Sequence, residues 1–347
     1  MTTPLRAVWA MTLLPLGLAA QYGFNTNYDV ALFGDMPYGT DREPAYERLI
    51  ADVNTYHPLF AAHIGDTKSG STRCDDSQAM KTFNYFSRFQ MPVIYSIGDN
   101  EWTDCMRANN GAYDPLGRLA LIRRTFFSTS ESLGAAAMTL IRQSDDPAYR
   151  AYPENTMVVI GPAVFASIHM MGSNNNLEYK TAQGAPNPFY DNDQEFTARN
   201  VANIAWMRKA FRTARDNRAY GVMLLAQANI FESFMTTGTG STHSGFAEFV
   251  KALREETQAF DGQVVMVSGD SHYMRIDKPL TKTYPGCTSA QGTCTAIATP
   301  AESPGDRILN FTRVEVPGDG DVHWIVAHVR PNKQNPFAFE LRLVPGN

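Results

Sequence analysis

The sequence predicts a single α/β domain in which two stacked β-sheets are flanked by helices. Short apolar runs alternate with segments that carry apolar residues at helical spacing. Such alternation is typical of parallel strands joined by crossover helices. Near the carboxyl end, two apolar runs follow each other with only a turn between them, which indicates antiparallel strands. We expect one domain over residues 21–347, because no linker or low-complexity tract interrupts the chain.

Four of the apolar runs end in the dipeptide Gly-Asp. The runs and their aspartates are Tyr28–Phe33 with Asp35, Phe60–Ile64 with Asp66, Val93–Ile97 with Asp99, and Val264–Val267 with Asp270. Unbroken apolar runs are typical of strands that are buried on both faces of a parallel sheet. Because ligands of open α/β sheets bind outside the carboxyl ends of the strands, we expect the four aspartates to gather at one such edge.

The remaining elements follow from local patterns. Helices are predicted over residues 41–57, 77–89, 114–127, 191–217 and 242–260, the third with Asp114 as its N-cap. Residues 157–171 are typical of two strands around Gly161-Pro162, and residues 221–226 of a buried strand. Residues 310–316 and 324–330 look like an antiparallel pair joined by the turn 317–321, with a further strand over residues 337–344.

Composition and charge narrow the classes of function. The 347-residue chain is 44% hydrophobic and 19% charged, which is typical of a folded globular protein. Its net charge of -5, without a cluster of Lys and Arg, argues against nucleic-acid binding. Beyond residue 20, no window reaches the roughly 18 apolar residues that a membrane-spanning helix needs, so we predict no span in the mature chain.

The first 20 residues are typical of a secretory signal peptide. They contain Arg6, an apolar segment over residues 7–18 and a small-residue end, which predicts cleavage near Ala20 and a secreted or periplasmic protein. Pro15 interrupts the apolar segment. An apolar lead-in or an N-terminal helix is therefore the alternative.

The cysteines are even in number, four, which agrees with an oxidising compartment. Cys74 and Cys105 each follow an aspartate-tipped strand at a similar interval. If those strand ends are neighbours, the two sulfurs lie within bridging distance, so we predict a disulfide. A second bridge between Cys287 and Cys294 would close a short, turn-rich loop. Buried or free thiols are the alternative.

Polar side chains at the strand ends indicate a metal site. Besides the four aspartates, His272 follows the last Gly-Asp, and Gln227 or Asn229 follows the strand over residues 221–226. Clustered carboxylates repel one another unless protons or cations neutralise them, so a bound metal is the expected stabiliser. One Gly-Asp alone is commonly only a turn, but four at apolar strand ends favour a shared site.

This arrangement resembles the calcineurin-like metallophosphoesterase family. The blocks of that family run D-x-H, G-D-x-x-D, G-N-H-D/E, a lone His on a strand, and G-H-x-H. The corresponding segments in this chain are residues 35–37, 65–69 and 98–101, residue Gln227, and residues 269–272. Their order and spacing match from about residue 28 to residue 275. The resemblance implies a four-layer α/β/β/α sandwich that hydrolyses a small phosphate mono- or diester through a metal-activated hydroxide.

The resemblance also implies a set of metal ligands. Six side chains occupy ligand positions: Asp35, Asp66, Asp99, Gln227, Asp270 and His272. Asp66 takes the place of the bridging ligand. At the second metal, Asp and Gln replace the family's Asn and two His residues, so one or two hard ions such as Mn²⁺, Mg²⁺ or Ca²⁺ suit the site better than Zn²⁺. An alignment shifted by one residue would instead make Asn100 the ligand, and Asp99 would then not contact the metal directly.

Other positions suggest catalytic roles. Asn100 stands where the family has a His that assists the leaving group, and an amide cannot act as an acid. Glu101 and His169 are the candidates to replace it, although His169 on an apolar strand fits a core residue as well. Lys68 has no counterpart in the family's block. Its ammonium group can bind a substrate phosphate or replace the charge of a missing metal, or it is a solvated loop residue.

A polar loop and three aromatic residues complete the predicted pocket. Ser173, Asn174 and Asn175 are candidates to supply uncharged hydrogen bonds to a bound anion, with ordinary turn residues as the alternative. The aromatic residues that directly follow the metal blocks either wall the pocket or belong to the core: Tyr38, Trp102 and Tyr273.

Three functions fit these patterns. The first is a metal-dependent phosphoesterase, and the second is a degenerate relative that binds a ligand or partner without turnover. The third is a metal-dependent hydrolase of some other bond. The enzyme is favoured because most replaced ligands became Asp, Asn or Gln, which still coordinate metals, whereas drift would more often leave Ala, Ser or Leu.

Overall fold

The computed structural model describes residues 23–178, 187–231, 244–282 and 306–347. The strands in these ranges are β1 Tyr28–Phe33, β2 Phe60–His63, β3 Val93–Tyr95, β4 Ile141–Arg142, β5 Thr156–Ile160, β6 Ala163–Ser167, β7 Gly221–Leu225, β8 Gln263–Ser268, β9 Arg275–Asp277, β10 Phe311–Glu315, β11 Trp324–Val329 and β12 Phe337–Arg342. The longer helices are α1 Glu43–Tyr56, α2 Asp76–Phe86, α3 Pro115–Phe126, α4 Asn192–Asp216 and α5 Ala247–Gln258.

The strands form two sheets. The first has five strands in the order β12-β11-β1-β2-β3, in which β1, β2 and β3 are parallel and β11 runs antiparallel to β1. The second has seven strands in the order β4-β5-β6-β7-β8-β10-β9. Its centre, from β6 through β7 and β8 to β10, is parallel, and antiparallel strands lie at its edges.

Apolar side chains hold four layers together. Leu32 and Phe60 of the first sheet pack with Val265 of the second in a core between the sheets. The outer face of the first sheet packs against α1, α2 and α3, and that of the second against α4 and α5 through side chains such as Trp206 and Phe249. The predicted four-layer α/β/β/α sandwich is therefore confirmed.

Local signals placed most elements correctly. The five predicted helices all form, and Asp114 caps α3 by accepting hydrogen bonds from the backbone N–H groups of Leu116 and Gly117, each at 3.1 Å. The strand pair around Gly161-Pro162 is the antiparallel pair β5 and β6. The helix expected from residue 242 is described from Ala247.

Two long-range expectations need correction. β10 and β11 are not a hairpin, because β10 pairs with β8 and β9 in the second sheet while β11 pairs with β1 and β12 in the first. Every residue of β10 is buried, and both of its edges are paired, one with β8 and the other with β9. The segment between them instead crosses from one sheet to the other, a spacing of about 10 Å. The four Gly-Asp strands are likewise divided, three in the first sheet and β8 in the second.

The predicted disulfide between Cys74 and Cys105 is present. Its Cα atoms lie 5.8 Å apart, and it joins the loop after β2 to the loop after β3. The predicted Cys287–Cys294 bridge and the signal peptide over residues 1–20 lie outside the described residues. Among the helices of the described ranges, none has the length and apolar character needed to cross a membrane.

Removal of this bridge should destabilise the fold. Replacing both cysteines with alanine is expected to lower the free energy of unfolding by about 3.5 kcal/mol, because the bridge restricts the unfolded chain. The sequence separation that it closes is 31 residues. Urea unfolding of wild type and the Cys74→Ala/Cys105→Ala variant, with and without reductant, measures the difference. Equal stability of the two proteins without reductant would contradict the prediction.

Candidate metal centre

The aspartates at the four strand ends meet in one place. Asp66, Asp99 and Asp270 each offer a carboxylate oxygen, and these oxygens lie within 4.8 Å of one another. Asp35 joins them, because its Oδ1 accepts a hydrogen bond of 3.0 Å from the backbone N–H of Asp270. The cluster forms where the carboxyl ends of β1, β2 and β3 face that of β8 across the two sheets.

The backbone around the cluster is held in unusual conformations. Positive φ angles occur at Asp35 (54°), Asp66 (52°), Asp270 (73°) and His272 (61°). This left-handed region costs a residue with a side chain roughly 1–2 kcal/mol, and such strain is concentrated at functional sites. The fold therefore imposes the directions in which these side chains point.

The glycines of the Gly-Asp pairs allow the close approach. A Cβ atom on Gly98 would lie 2.0 Å from Oδ1 of Asp66, and one on Gly269 would lie 2.1 Å from Oδ2 of Asp35. Neither distance is possible for a real side chain, so the glycine that precedes an aspartate on one strand makes room for the carboxylate of another.

Asp66 lies at the centre of a hydrogen-bond network. Its Oδ2 accepts hydrogen bonds from the hydroxyl of Tyr38 (3.1 Å), Nδ2 of Asn100 (2.8 Å) and Nε2 of Gln227 (3.2 Å). Asn100 thus points its amide N–H at Asp66, while Asp99 contributes to the acidic cluster. Of these two neighbours, Asp99 is therefore the one that offers a carboxylate oxygen to the acidic group.

Two further predicted ligands border the cluster. Oε1 of Gln227 accepts a hydrogen bond of 2.6 Å from the backbone N–H of Gly172, which turns its amide N–H toward Asp66. Nε2 of His272 lies 3.6 Å from Oδ1 of Asp35 and 3.3 Å from the hydroxyl of Tyr38. All six predicted ligands are therefore within one connected group.

The negative charge of the cluster is only partly compensated, by groups such as His272 beside Asp35 and Arg107 beside Asp99. Burial raises the pKa of Asp66 well above its usual range, and the charges of Asp99, Glu101 and Asp35 raise it further. Burial likewise raises the pKa of Asp35, Asp99 and Asp270. Among the described residues, the buried Oδ2 atoms of Asp35 and Asp270 have no hydrogen-bond partner.

The donor set fits a hard divalent cation. Its convergent atoms are carboxylate oxygens, which Mg²⁺, Mn²⁺ and Ca²⁺ prefer. Oδ2 of Asp270, in this group, and Oδ2 of Asp35, beside it, are buried without a partner among the described residues. A cation among them would supply the missing contacts and remove the repulsion between the acids.

Comparison with solved structures finds the fold of this chain in two phosphatases. A dimetal phosphatase from Danio rerio is 8% identical, with a TM-score of 0.50 over 91% of this chain and 96% of that chain. A purple acid phosphatase isolated from seeds of yellow lupin (Lupinus luteus) is 13% identical, with a TM-score of 0.50 over 94% of this chain and 53% of that chain. No protein-family model and no curated protein sequence matches the chain.

The chain has the calcineurin-like metallophosphoesterase fold. At such low identity, the comparisons establish the fold and do not establish the reaction.

Glu101 ties two strand ends together. Its carboxylate accepts hydrogen bonds from the backbone N–H groups of Gly98 (2.8 Å), Asp66 (3.2 Å) and Thr67, and from the Thr67 hydroxyl (2.9 Å). Both oxygens are thus engaged by the loops that follow β2 and β3. Burial raises the pKa of Glu101, while the hydrogen bonds from Thr67 and the charge of Lys68 oppose that rise.

Lys68 is buried rather than solvated. Only 3% of the residue is exposed, and its ammonium group donates to the carbonyl oxygen of Ser69 at 3.2 Å. Burial lowers the pKa of Lys68, and the charges of Glu101, Asp104 and Asp66 counteract that effect. Lys68 therefore places a cation beside the acids in this metallophosphoesterase fold.

The other predicted site residues have partners outside the cluster. His169 is buried, with Nδ1 2.8 Å from Oε1 of Glu154. Oδ1 of Asn174 accepts from the backbone N–H of Gly245 at 2.8 Å. Asn175 donates from Nδ2 to the carbonyl of Gly245 (3.1 Å), and its Oδ1 accepts from a guanidinium group. Catalytic or substrate-binding roles for these three residues stay predictions.

Two residues contact the cluster in ways that their sequence patterns do not indicate. Tyr38 is an aromatic residue whose position beside the first block indicated a pocket wall, yet its hydroxyl contacts Asp66, Asn100 and His272. Ser173 contacts Asp99 across 74 positions of the chain, a relation that no local pattern carries. Of the other predicted wall residues, Trp102 is fully buried, whereas Tyr273 is 69% exposed.

The contacts of Glu101 predict a structural effect of its substitution. Glu101→Gln should lower the free energy of unfolding by about 1–3 kcal/mol, because an amide N–H group would face buried backbone N–H groups and leave them unpaired. Urea unfolding measures the change. Glu131→Gln, at an exposed position, is the matched control and should be nearly neutral. If the Glu101→Gln protein were as stable as this control, the stabilising role of the hydrogen bonds to Glu101 would be contradicted.

Proposed function

We propose that the protein is a metal-dependent phosphoesterase that hydrolyses a small phosphate mono- or diester. One observation carries this proposal: three carboxylate oxygens lie within 4.8 Å of one another at the strand ends of a fold that two phosphatases share. The partnerless buried oxygens of Asp35 and Asp270 support a cation there. Such a cation supplies Lewis acidity to a phosphoryl group and to water.

The proposed roles follow from the contacts. The metal ligands are Asp35, Asp66, Asp99, Gln227, Asp270 and His272, for one or two ions of Mn²⁺, Mg²⁺ or Ca²⁺. Asn100 orients the Asp66 carboxylate through its amide N–H group at 2.8 Å. Lys68 offsets part of the negative charge, which keeps the buried acids compatible with an anionic substrate.

A secreted or periplasmic location is part of the proposal. The Cys74–Cys105 disulfide supports it, since such bridges persist mainly in oxidising compartments. The leader-like pattern of the first 20 residues supports it from sequence.

Loss of the central carboxylate should weaken metal binding and turnover together. Wild-type protein should contain or acquire a divalent metal by elemental analysis and cleave nitrophenyl phosphate mono- or diesters when Mn²⁺ or Mg²⁺ is added. Asp66→Asn should reduce kcat/KM at least about 100-fold, because it removes a charged ligand at the centre of the cluster. Asp216→Asn, at an exposed helix end, is the matched control and should keep both properties.

Other results would support the competing functions. A wild-type protein that binds no metal and whose folding is unaffected by a chelator would favour a ligand-binding protein without turnover. Preferential cleavage of a substrate that contains no phosphorus would favour a hydrolase of another bond. Either result would overturn the proposed activity.

The choice of substrate should depend strongly on the leaving group. Asn100 cannot protonate a departing oxygen, and the oxygens of Glu101 are held by backbone N–H groups. General acid catalysis typically contributes a factor of roughly 10²–10⁴, so we expect p-nitrophenyl esters to react at least about 100-fold faster than phenyl esters. Initial rates on matched diesters measure the ratio. Equal rates would show that the chain supplies a proton donor, and His169→Asn would then test the remaining candidate.

A further inference from the structure

The segment after β6 adopts a strained turn. Four successive residues have positive φ angles: Ser173 (50°), Asn174 (52°), Asn175 (55°) and Asn176 (69°). Asn tolerates this left-handed conformation better than most residues, but Ser has no such preference. All four residues are buried. A buried turn of this kind persists only when its surroundings determine it, and such strain is commonly associated with function.

Hydrogen bonds from Arg199 and Gly245 hold the turn in this conformation. Arg199 of α4 is fully buried and donates to Oδ1 of Asn175 at 2.5 Å and to the carbonyl oxygen of Asn175 at 2.9 Å. The backbone of Gly245 donates to Asn174 at 2.8 Å and accepts from Asn175 at 3.1 Å. The side-chain amides in the turn are thus used to fix its shape.

The front of the turn faces the metal centre. Oγ of Ser173 lies 2.6 Å from Oδ2 of Asp99. The preceding residue, Gly172, donates its backbone N–H to Gln227 at 2.6 Å, and a Cβ atom there would lie 2.6 Å from Oδ2 of Asp270. Ser173 and the residue before it therefore contact two of the proposed ligands, Asp99 and Gln227, and lie close to a third, Asp270.

We infer that Ser173 is a positioning residue of the metal centre, which holds the Asp99 carboxylate in the orientation needed for a divalent cation; this inference rests on the proposed function. Oγ of Ser173 also lies 3.0 Å from Oδ1 of Asp104, although a hydroxyl has only one proton to donate. Arg107 pairs with Asp104 at 2.5 Å, so Asp104 has a cationic partner and the proton of Ser173 serves Asp99. Hydrogen bonds of this kind orient metal ligands and tune metal affinity.

Two substitutions separate positioning from general stability. Ser173→Ala removes the hydroxyl and keeps the strain, whereas Ser173→Gly removes both, because glycine adopts positive φ freely. Ser173→Gly should therefore be at least as resistant to urea as Ser173→Ala. Ser167→Ala is the matched control, since Ser167 is also buried and its hydroxyl contacts the Ser96 hydroxyl at 3.0 Å, outside the acidic cluster.

The test measures Mn²⁺ binding to the full chain by calorimetry and by the electron paramagnetic resonance signal of the bound ion. Both Ser173 variants should bind Mn²⁺ about tenfold or more weakly than wild type and alter that signal. Ser167→Ala should match wild type in both measurements.

Each contrary outcome is decisive. Wild-type affinity and signal in Ser173→Gly would overturn the positioning role and leave the proposed function standing. An equal loss of affinity in Ser167→Ala would also overturn it, because the effect would then be a general one. A wild-type protein that binds no Mn²⁺ would overturn the proposed function and the positioning role together.

Discussion

The fold holds several carboxylates close together although their negative charges repel one another. Asp35, Asp66 and Asp270 follow strands whose apolar residues, such as Leu32 and Val267, are packed between the sheets. Moving one acid away would withdraw its strand from that core, at about 25 cal/mol for each Å² of apolar surface exposed. The hydrophobic core therefore holds the acids together, and a proton or a cation must relieve their repulsion.

The division of the strands between two sheets shapes the site. β8 belongs to the sheet opposite β1, β2 and β3, so Asp270 approaches the other acids from across the sandwich. The segment that crosses from β10 to β11 covers this junction. A Cβ atom on its Gly318 would lie 2.8 Å from the ring of His272 and 2.9 Å from Cβ of Asp35, so the crossing backbone packs directly on the site.

Sequence patterns predicted the features that depend on residues close together in the chain. Apolar runs ending in Gly-Asp, the Asp114 cap, and the similar intervals from Asp66 to Cys74 and from Asp99 to Cys105 each concern a few residues, and the structure contains the strands, the cap and the disulfide that they predict. The partners of β10 and β11 were missed because two strands separated by a short turn look alike whether they pair or cross to another sheet. The contact between Ser173 and Asp99 could not be predicted from sequence patterns either, because these residues are 74 positions apart and meet only in the folded protein.

The acids in and around the cluster differ in whether their oxygens already have hydrogen-bond donors. A sequence motif identifies a position, but it does not say which atoms are already occupied. Both oxygens of Glu101 have backbone donors, so this acid joins loops. Asp35 and Asp270 each retain a buried oxygen without a partner among the described residues. Because a buried polar atom without a partner is costly, the Oδ2 atoms of Asp35 and Asp270 are the ones that a bound cation would satisfy, whereas the oxygens of Glu101 already have their partners.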